Sequence, residues 1–228
     1  VLHSIDELKE EKDAVVIIRS HGITKQMQDA LEKKDISIVD ATCPFVKKIH
    51  NIVHEKWNEG YEIIVVGSAK HPEVQGICGW CDNCCSVIET LEEAQKYTQK
   101  EPKKICIVAQ TTFNYKKFED IVDILLKKSY DILVMNTICN ATEVRQTEAG
   151  TIARNSDAMI VIGGKHSSNT QKLYEICKKE CLNTHFIQTL DDLDLNLFQS
   201  FRSVGITAGA STPNNIIKEV QSYVRHEQ

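Results

Sequence analysis

A chain of 228 residues with 42% hydrophobic and 26% charged side chains can bury a sizeable core, has room for two domains, and has the composition of ordinary globular protein. A formal net charge of −5 and an aromatic content of 6% argue against nucleic acid as a partner, and no apolar run approaches the roughly 20 residues that a membrane span needs. Nine cysteines, in a chain whose start Val1-Leu-His-Ser-Ile-Asp-Glu-Leu-Lys-Glu shows no signal-peptide pattern, read as thiols or metal ligands of a cytoplasmic protein rather than as a disulfide framework.

Residues 13–19, Asp-Ala-Val-Val-Ile-Ile-Arg, read as a buried strand that ends at Ser20-His21-Gly22. Thr24 then caps a helix with Met27, Ala30 and Leu31 on its apolar stripe. A short strand, Ile36–Asp40, stops just before Cys43, and Pro44 opens a helix, where its missing N–H costs nothing. Val46, Ile49, Val53 and Trp57 carry that helix to Asn58-Glu-Gly60. The strand 62–66 leads into Gly67-Ser-Ala-Lys-His71-Pro-Glu73, followed by a strand at 86–88 and a helix over 90–98. The strand beginning at Ile105 ends in a polar tail at Gln110-Thr111-Thr112. A helix to Lys127 and a strand over 130–135 lead to Cys139. The remainder reads as a helix over about 141–154, strands at 158–162, 184–187 and 203–207, a helix over 168–180, and a last helix from Pro213. Strands alternating with helices predict parallel sheets, and runs such as 63–66 suit sheets covered on both faces.

Two stretches repeat. Ser37-Ile-Val-Asp-Ala-Thr-Cys43 and Leu133-Val-Met-Asn-Thr-Ile-Cys139 both end a strand in Asp or Asn with a cysteine three residues on. Gly67 stands as far beyond Cys43 as Gly163 stands beyond Cys139, and a histidine, His71 or His166, soon follows each glycine. Repeats of this kind bear on fold before any single motif does. They predict α/β modules at 46–136 and 137–228, and the closing part of an earlier module at 1–45. By the same logic the front of that first module, with a third cysteine, lies upstream of Val1.

Ligands of open α/β sheets bind beyond the carboxyl ends of the strands. Those ends carry His21, Cys43, His71, Glu73, Thr111, Cys139, Ser167, Ser168, Asn169 and Ser211. Thiolates suit iron–sulfur clusters, zinc or copper; imidazoles, hydroxyls and helix N-termini make a phosphate cradle; Glu73 can serve as an acid. Plainer readings exist for each. A strand-end cysteine can simply pack, His71 can be a surface histidine, and Ser167-Ser-Asn169, Gln110-Thr-Thr112 and Ala210–Pro213 can be helix caps. Caps alone do not explain why these residues gather at one end of the sheets.

Asp40-Ala-Thr-Cys43-Pro, Gly67-x-x-x-His71-Pro-Glu-Val, Gln110-Thr-Thr, Ser167-Ser-Asn and Thr207-Ala-Gly-Ala-Ser211, taken in order, resemble the IspH/LytB family of 4-hydroxy-3-methylbut-2-enyl diphosphate reductases over about residues 13–226. The resemblance implies a trefoil-like arrangement of three parallel-sheet α/β modules around a central [4Fe-4S] cluster. It implies reductive removal of the allylic hydroxyl of the substrate, giving isopentenyl and dimethylallyl diphosphate in the methylerythritol phosphate route to isoprenoids. Carried over motif by motif, Cys43 and Cys139 are two of three cluster ligands. His21, His71, Ser167, Ser168, Asn169 and Ser211 hold the diphosphate, Glu73 delivers protons, and Thr111 orients the hydroxyl and relays its proton. A ferredoxin or flavodoxin supplies electrons. The family's first cysteine and one further histidine have no counterpart in this sequence, and His3 is in no matching motif. The chain alone is therefore expected to be inactive or nearly so. The alternative function is a truncated, non-catalytic relative that keeps only a phosphate- or metal-binding scaffold.

Two further patterns compete for metal. Cys78-Gly-Trp-Cys81-Asp-Asn-Cys84-Cys85 has the C-x2-C-x2-C spacing of ferredoxin-type motifs, or of a zinc-binding interaction module, but lacks the following C-x3-C-P element and also fits a tight turn. His50 and His54, one helical turn apart without the H-E-x-x-H glutamate, read as a solvated helix face. Cys106, Cys177 and Cys181 read as packed or idle.

Overall fold

The computed structural model describes residues 7, 15–34, 36–99, 101, 103–193 and 201–226. The chain divides into two compact units, residues 1–111 with 116–138 and residues 112–115 with 139–228.

In the first unit, β1 (Val15–Ile18) and β2 (Ser37–Asp40) form a two-stranded parallel sheet joined by α1 (Lys25–Glu32). Asp13 and Ala14, placed in this first strand by the sequence, lie outside the described residues. Thr24 caps α1 as expected, its hydroxyl accepting the Met27 N–H. α2 (Pro44–Asn58) begins with proline in its first turn and ends at Gly60, whose φ of +86° permits the left-handed C-terminal turn. A four-stranded parallel sheet follows, in the order β4 (Ser86–Ile88), β3 (Glu62–Val66), β5 (Ile105–Ala109), β6 (Ile132–Val134). α3 (Pro72–Cys78), α4 (Leu91–Lys96) and α5 (Tyr115–Leu126) connect its strands.

The central strands are apolar over Ile63–Val66 and Ile105–Ala109 because both faces are covered. Ile63, Val65, Cys106 and Val108 pack with Ile49 and Val53 of α2 and with Val74 and Ile77 of α3. Ile64, Val66, Ile105 and Ile107 are equally buried, and α5 buries Phe118, Ile121, Val122 and Leu125. Each such aliphatic side chain contributes about 1.5–3 kcal/mol relative to exposure.

In the second unit, α6 (Asn140–Arg154) precedes a three-stranded parallel sheet ordered β8 (Thr184–Ile187), β7 (Ala158–Ile162), β9 (Val204–Ala208), with α7 (Ser168–Glu180) and α8 (Asn214–His226). One face packs Ile160 and Ile162 against Val220 and Val224 of α8; the other packs Met159 and Val161 against Ala149 and Ala153 of α6 and Leu173 and Cys177 of α7. Each of the three sheets falls within one of the intervals 1–45, 46–136 and 137–228.

The repeat is visible in the elements. α2 and α6 are both 15 residues long and start directly after Cys43 and Cys139, and β3 and β7 are both five-residue strands. All nine cysteines are free. Among the described residues no helix is long and apolar enough to cross a membrane.

His50 departs from expectation. It is not on a solvated face: it is 4% exposed and lies on the same buried stripe of α2 as Val46, Ile49 and Val53. The i, i+3, i+4 spacing places it there, and its polarity misled the reading. Cys78–Cys85 is also more structured than a simple turn. α3 runs to Cys78, a short 3-10 turn spans Gly79–Cys81, and Asp82 and Asn83 take left-handed conformations at φ 52° and 57°.

Candidate active site

In the first unit the functional side chains sit where strands run out. After β1 the chain turns at Gly22, whose φ of +70° favours glycine, and this turn carries His21. After β2 the Asp40 carboxylate accepts the Thr42 N–H at 2.9 Å, and the Cys43 N–H donates to the Ser20 carbonyl at 3.0 Å. Burial opposes the charge on Asp40, yet hydrogen bonds from Lys47 and Thr42 hold it at about 2. Asn136 makes the same local turn before the second cysteine, its side-chain oxygen accepting the Ile138 N–H at 3.1 Å. The shared Asp/Asn-x-x-Cys pattern is therefore a turn that presents a thiol at a helix start. Cys43 and Cys139 occupy the N-cap positions of α2 and α6, are half-buried, and make no capping bond with their side chains.

After β3 the chain comes so close to α3 and the tip of β5 that only glycine fits. A Cβ on Gly67 would lie 2.8 Å from Val74 Cγ2 and 2.9 Å from Gln110 Cβ. The Ser68 N–H then donates to Gln110 Oε1 at 3.2 Å. His71 is the N-cap of α3, its Nδ1 accepting the Glu73 N–H at 3.2 Å, which leaves Nε2 to carry the ring proton. The His21 ring meets it edge to face, with centroids 5.2 Å apart. Burial, then His21 and Arg19, hold His71 at about 4; burial, then Arg19, lower His21 as well. Both rings are thus neutral at pH 7 in the unliganded protein. His21 Nδ1 is buried without a hydrogen-bond partner among the described residues.

Glu73 is 2% exposed. Its Oε1 accepts the Thr111 N–H at 2.6 Å and its Oε2 accepts the Thr111 hydroxyl at 2.8 Å. Burial pushes this carboxyl up, against the two bonds from Thr111, so the group can hold a proton above the usual carboxylate range. Thr111 is itself buried and backs onto the frame of the sheet, where the Ala109 N–H and carbonyl both bond the Thr137 hydroxyl.

The second unit repeats this plan with uncharged groups. Gly163 precedes a loop in which Ser167 caps α7, its hydroxyl accepting the Thr170 N–H at 3.3 Å. Ser168 follows, its hydroxyl 3.1 Å from that of Thr112. Asn169 is buried, with neither its amide nitrogen nor its amide oxygen partnered among the described residues. Ser211 lies exposed just beyond β9. Ser167 and Asn169 take the places on α7 that His71 and Glu73 take on α3. The sequence reading matched the cysteines and glycines but missed this second correspondence, because the residue types differ. A buried amide with both ends open is a group awaiting a polar ligand.

The donors fit an iron–sulfur group in kind: two free thiols at matching positions, each clear of capping and disulfide bonding. Among the described residues no three Cys, His, Asp or Glu side chains converge as an ion site. The cysteine-rich stretch does not compete. Cys81 donates to the Cys78 carbonyl at 3.2 Å, and Cys78, Cys81 and Cys85 pack against the first unit's core. A hydrogen bond with Cys85, then burial, push the Cys78 thiol up. The bond with Cys78 lowers Cys85, but the bond with Cys81 and burial together carry it up to about 12. Cys78 and Cys85 are thus packing thiols whose surroundings favour the protonated form.

Residues 2–225 match a family model described as LytB protein. The 4-hydroxy-3-methylbut-2-enyl diphosphate reductase of Thermoanaerobacter sp. (strain X514) is 48% identical over 210 residues, covering 92% of this chain and 72% of the relative. That of Clostridioides difficile (strain 630) is 49% identical over 211 residues, covering 92% and 75%. Among solved structures, the E-1-hydroxy-2-methyl-but-2-enyl-4-diphosphate reductase of Plasmodium falciparum superposes with a TM-score of 0.86 at 31% identity, over 91% of this chain and 66% of that one. A second, the (E)-4-hydroxy-3-methyl-but-2-enyl diphosphate reductase described as the terminal enzyme of the non-mevalonate pathway, gives 0.60 at 43% identity, over 96% and 78%. The α/β fold of repeated parallel-sheet modules expected from the sequence is the fold of these reductases, and the chain belongs to the LytB family of 4-hydroxy-3-methylbut-2-enyl diphosphate reductases.

Proposed function

We propose that this chain serves its family's reaction: the allylic C–O bond of 4-hydroxy-3-methylbut-2-enyl diphosphate breaks, two electrons and two protons are taken up, and the hydroxyl leaves as water while isopentenyl or dimethylallyl diphosphate forms. The observation that carries this is the buried Glu73, bonded through both oxygens to Thr111 and seated one turn-start away from His71. A non-catalytic scaffold has no use for a protonatable acid held in that way, and the relatives favour the reductase over the scaffold.

Cys43 and Cys139 are the residues that would hold an iron–sulfur cluster, which when bound supplies the electrons of the reduction, delivered one at a time by a ferredoxin or flavodoxin. The protein's own groups do the rest. His21 and His71 bind the diphosphate, His71 through its Nε2–H; a diphosphate beside the two rings favours their protonated forms. Ser167, Ser168, Asn169 and Ser211 add uncharged donors, and the open amide of Asn169 gains the partner it lacks. Glu73 holds the proton destined for the departing hydroxyl, and the Thr111 hydroxyl orients that oxygen and passes the proton on. We take the three sheets to mark three modules with boundaries near residues 45 and 136.

Anaerobic reconstitution with iron, sulfide and an external thiol able to supply a further thiolate tests the assignment. Brown iron–sulfur absorbance that falls in both Cys43→Ser and Cys139→Ser supports it. Equal iron retention in the parent and both variants contradicts it.

A further inference from the structure

The His21 turn is gripped from a side that the family motifs do not touch. The His50 ring stacks on the Trp80 indole, with centroids 4.9 Å apart and planes 19° apart. The same ring lies directly beneath Gly22, where a Cβ would come within 2.5 Å of His50 Cε1 and 3.2 Å of Thr42 Cγ2. The indole N–H of Trp80 donates to the Ile23 carbonyl at 3.0 Å. Gly79 faces Thr24 so closely that a Cβ there would sit 2.3 Å from Thr24 Cβ, and a Cβ on Gly76 would lie 3.5 Å from the His21 carbonyl oxygen. Residues 21–24 are therefore each met by α2, α3 or the 3-10 turn that follows α3.

The two histidines differ in how they are fixed. His71 is locked by its own capping bond at the start of α3. His21 stands beside a glycine with left-handed φ, and its Nδ1 has no hydrogen-bond partner among the described residues. Its distance from His71 is set by whatever holds that turn. A packing role alone calls for apolar contact; an indole N–H placed on a loop carbonyl and a ring laid under a glycine fix position as well.

We propose that the stacked His50 and Trp80 are positioning residues: they hold the His21 turn against α3, so that the His21 and His71 imidazoles stand as a ready-made pair for a diphosphate. This rests on the assignment of those two histidines as diphosphate binders. A preformed pair avoids the cost of ordering the loop when ligand arrives.

Imidazole nitrogen NMR and calorimetry with inorganic pyrophosphate test it on the parent chain and on Trp80→Phe, His50→Ala, His50→Phe and His21→Ala. Trp80→Phe keeps an aromatic face, though a smaller one, and loses the N–H on Ile23; His50→Phe keeps a ring under Gly22. The expected result is displaced His21 resonances in Trp80→Phe and His50→Ala, unmoved His166 resonances, and a His21 signal near the parent's in His50→Phe. Pyrophosphate affinity should fall roughly five- to tenfold in Trp80→Phe, the effect of one hydrogen bond to the loop. Unmoved His21 resonances in Trp80→Phe and in folded His50→Ala overturn the proposal. Unchanged pyrophosphate affinity in His21→Ala overturns the diphosphate assignment instead, and the imidazole resonances then still decide whether the turn is held by this stack.

Discussion

Replacing Thr111 by valine removes one hydroxyl and little else. The side chain is 7% exposed and valine has nearly its shape, so packing is kept. The backbone N–H keeps its 2.6 Å bond to Glu73 Oε1, but the 2.8 Å bond to Oε2 is lost. One oxygen of a carboxylate that is 2% exposed is then left without a donor. An unsatisfied buried polar group costs about 1–3 kcal/mol, towards the upper end when charged. The cost has a pH signature. Burial already raises Glu73 above its ordinary 4.5, and removing a lowering bond raises it further. A raised carboxyl contributes stability that is complete below 4.5 and is lost as pH rises through its folded-state value. Thr111→Val should therefore lose about 2–3 kcal/mol at pH 8, in the upper half of the range for an unmet buried group, and clearly less at pH 5, read by urea unfolding. Glu73→Gln is the contrasting variant. Its amide oxygen can accept the Thr111 N–H and its amide nitrogen can donate to the Thr111 hydroxyl, so it should be no less stable than the parent at pH 8. A loss under about 0.5 kcal/mol in Thr111→Val, or an equal loss at both pH values, refutes the reasoning.

Three further outcomes are expected. His71→Ala removes the acceptor that caps α3 and should cost about 1 kcal/mol in thermal unfolding at neutral pH; no change would mean the cap is idle. Burial holds His50 at about 4, and burial with His21 and Arg19 does the same for His71, so the unfolded chain takes up these protons first. Stability should fall as pH drops from 6.5 towards 4, and His50→Phe should flatten that fall; an unchanged slope in urea titrations at pH 7 and 4.5 counts against it. Cys84, exposed at the tip of the cysteine-rich turn, is the metal control: Cys84→Ser should leave iron retention unchanged where Cys43→Ser and Cys139→Ser lower it.

The fold was legible wherever a pattern had one physical cause. Pro44 and Gly60 bracket α2, Ser167 caps α7, and the apolar runs 62–66 and 158–162 are strands to the residue. The candidate site was legible because its residues stand at strand ends, and the repeat marked two of those ends. What escaped the reading is long-range. No spacing shows that Thr111 reaches back to Glu73, or that Trp80 reaches back to Ile23. His50 was misread although the helical stripe that buries it was in view, because a polar residue on a stripe looks like its edge. The match of Glu73 with Asn169 was hidden for the opposite reason: position is kept while chemistry changes.

The central claim is that this chain binds an allylic diphosphate through the strand-end residues assigned above. Its most direct test is calorimetric titration of the anaerobic protein with 4-hydroxy-3-methylbut-2-enyl diphosphate, beside His71→Ala from the first unit and Asn169→Ala from the second. Binding by the parent chain, weakened at least tenfold in His71→Ala and in Asn169→Ala, is the expected result. Binding left intact by either substitution, or no binding to the parent chain, contradicts it.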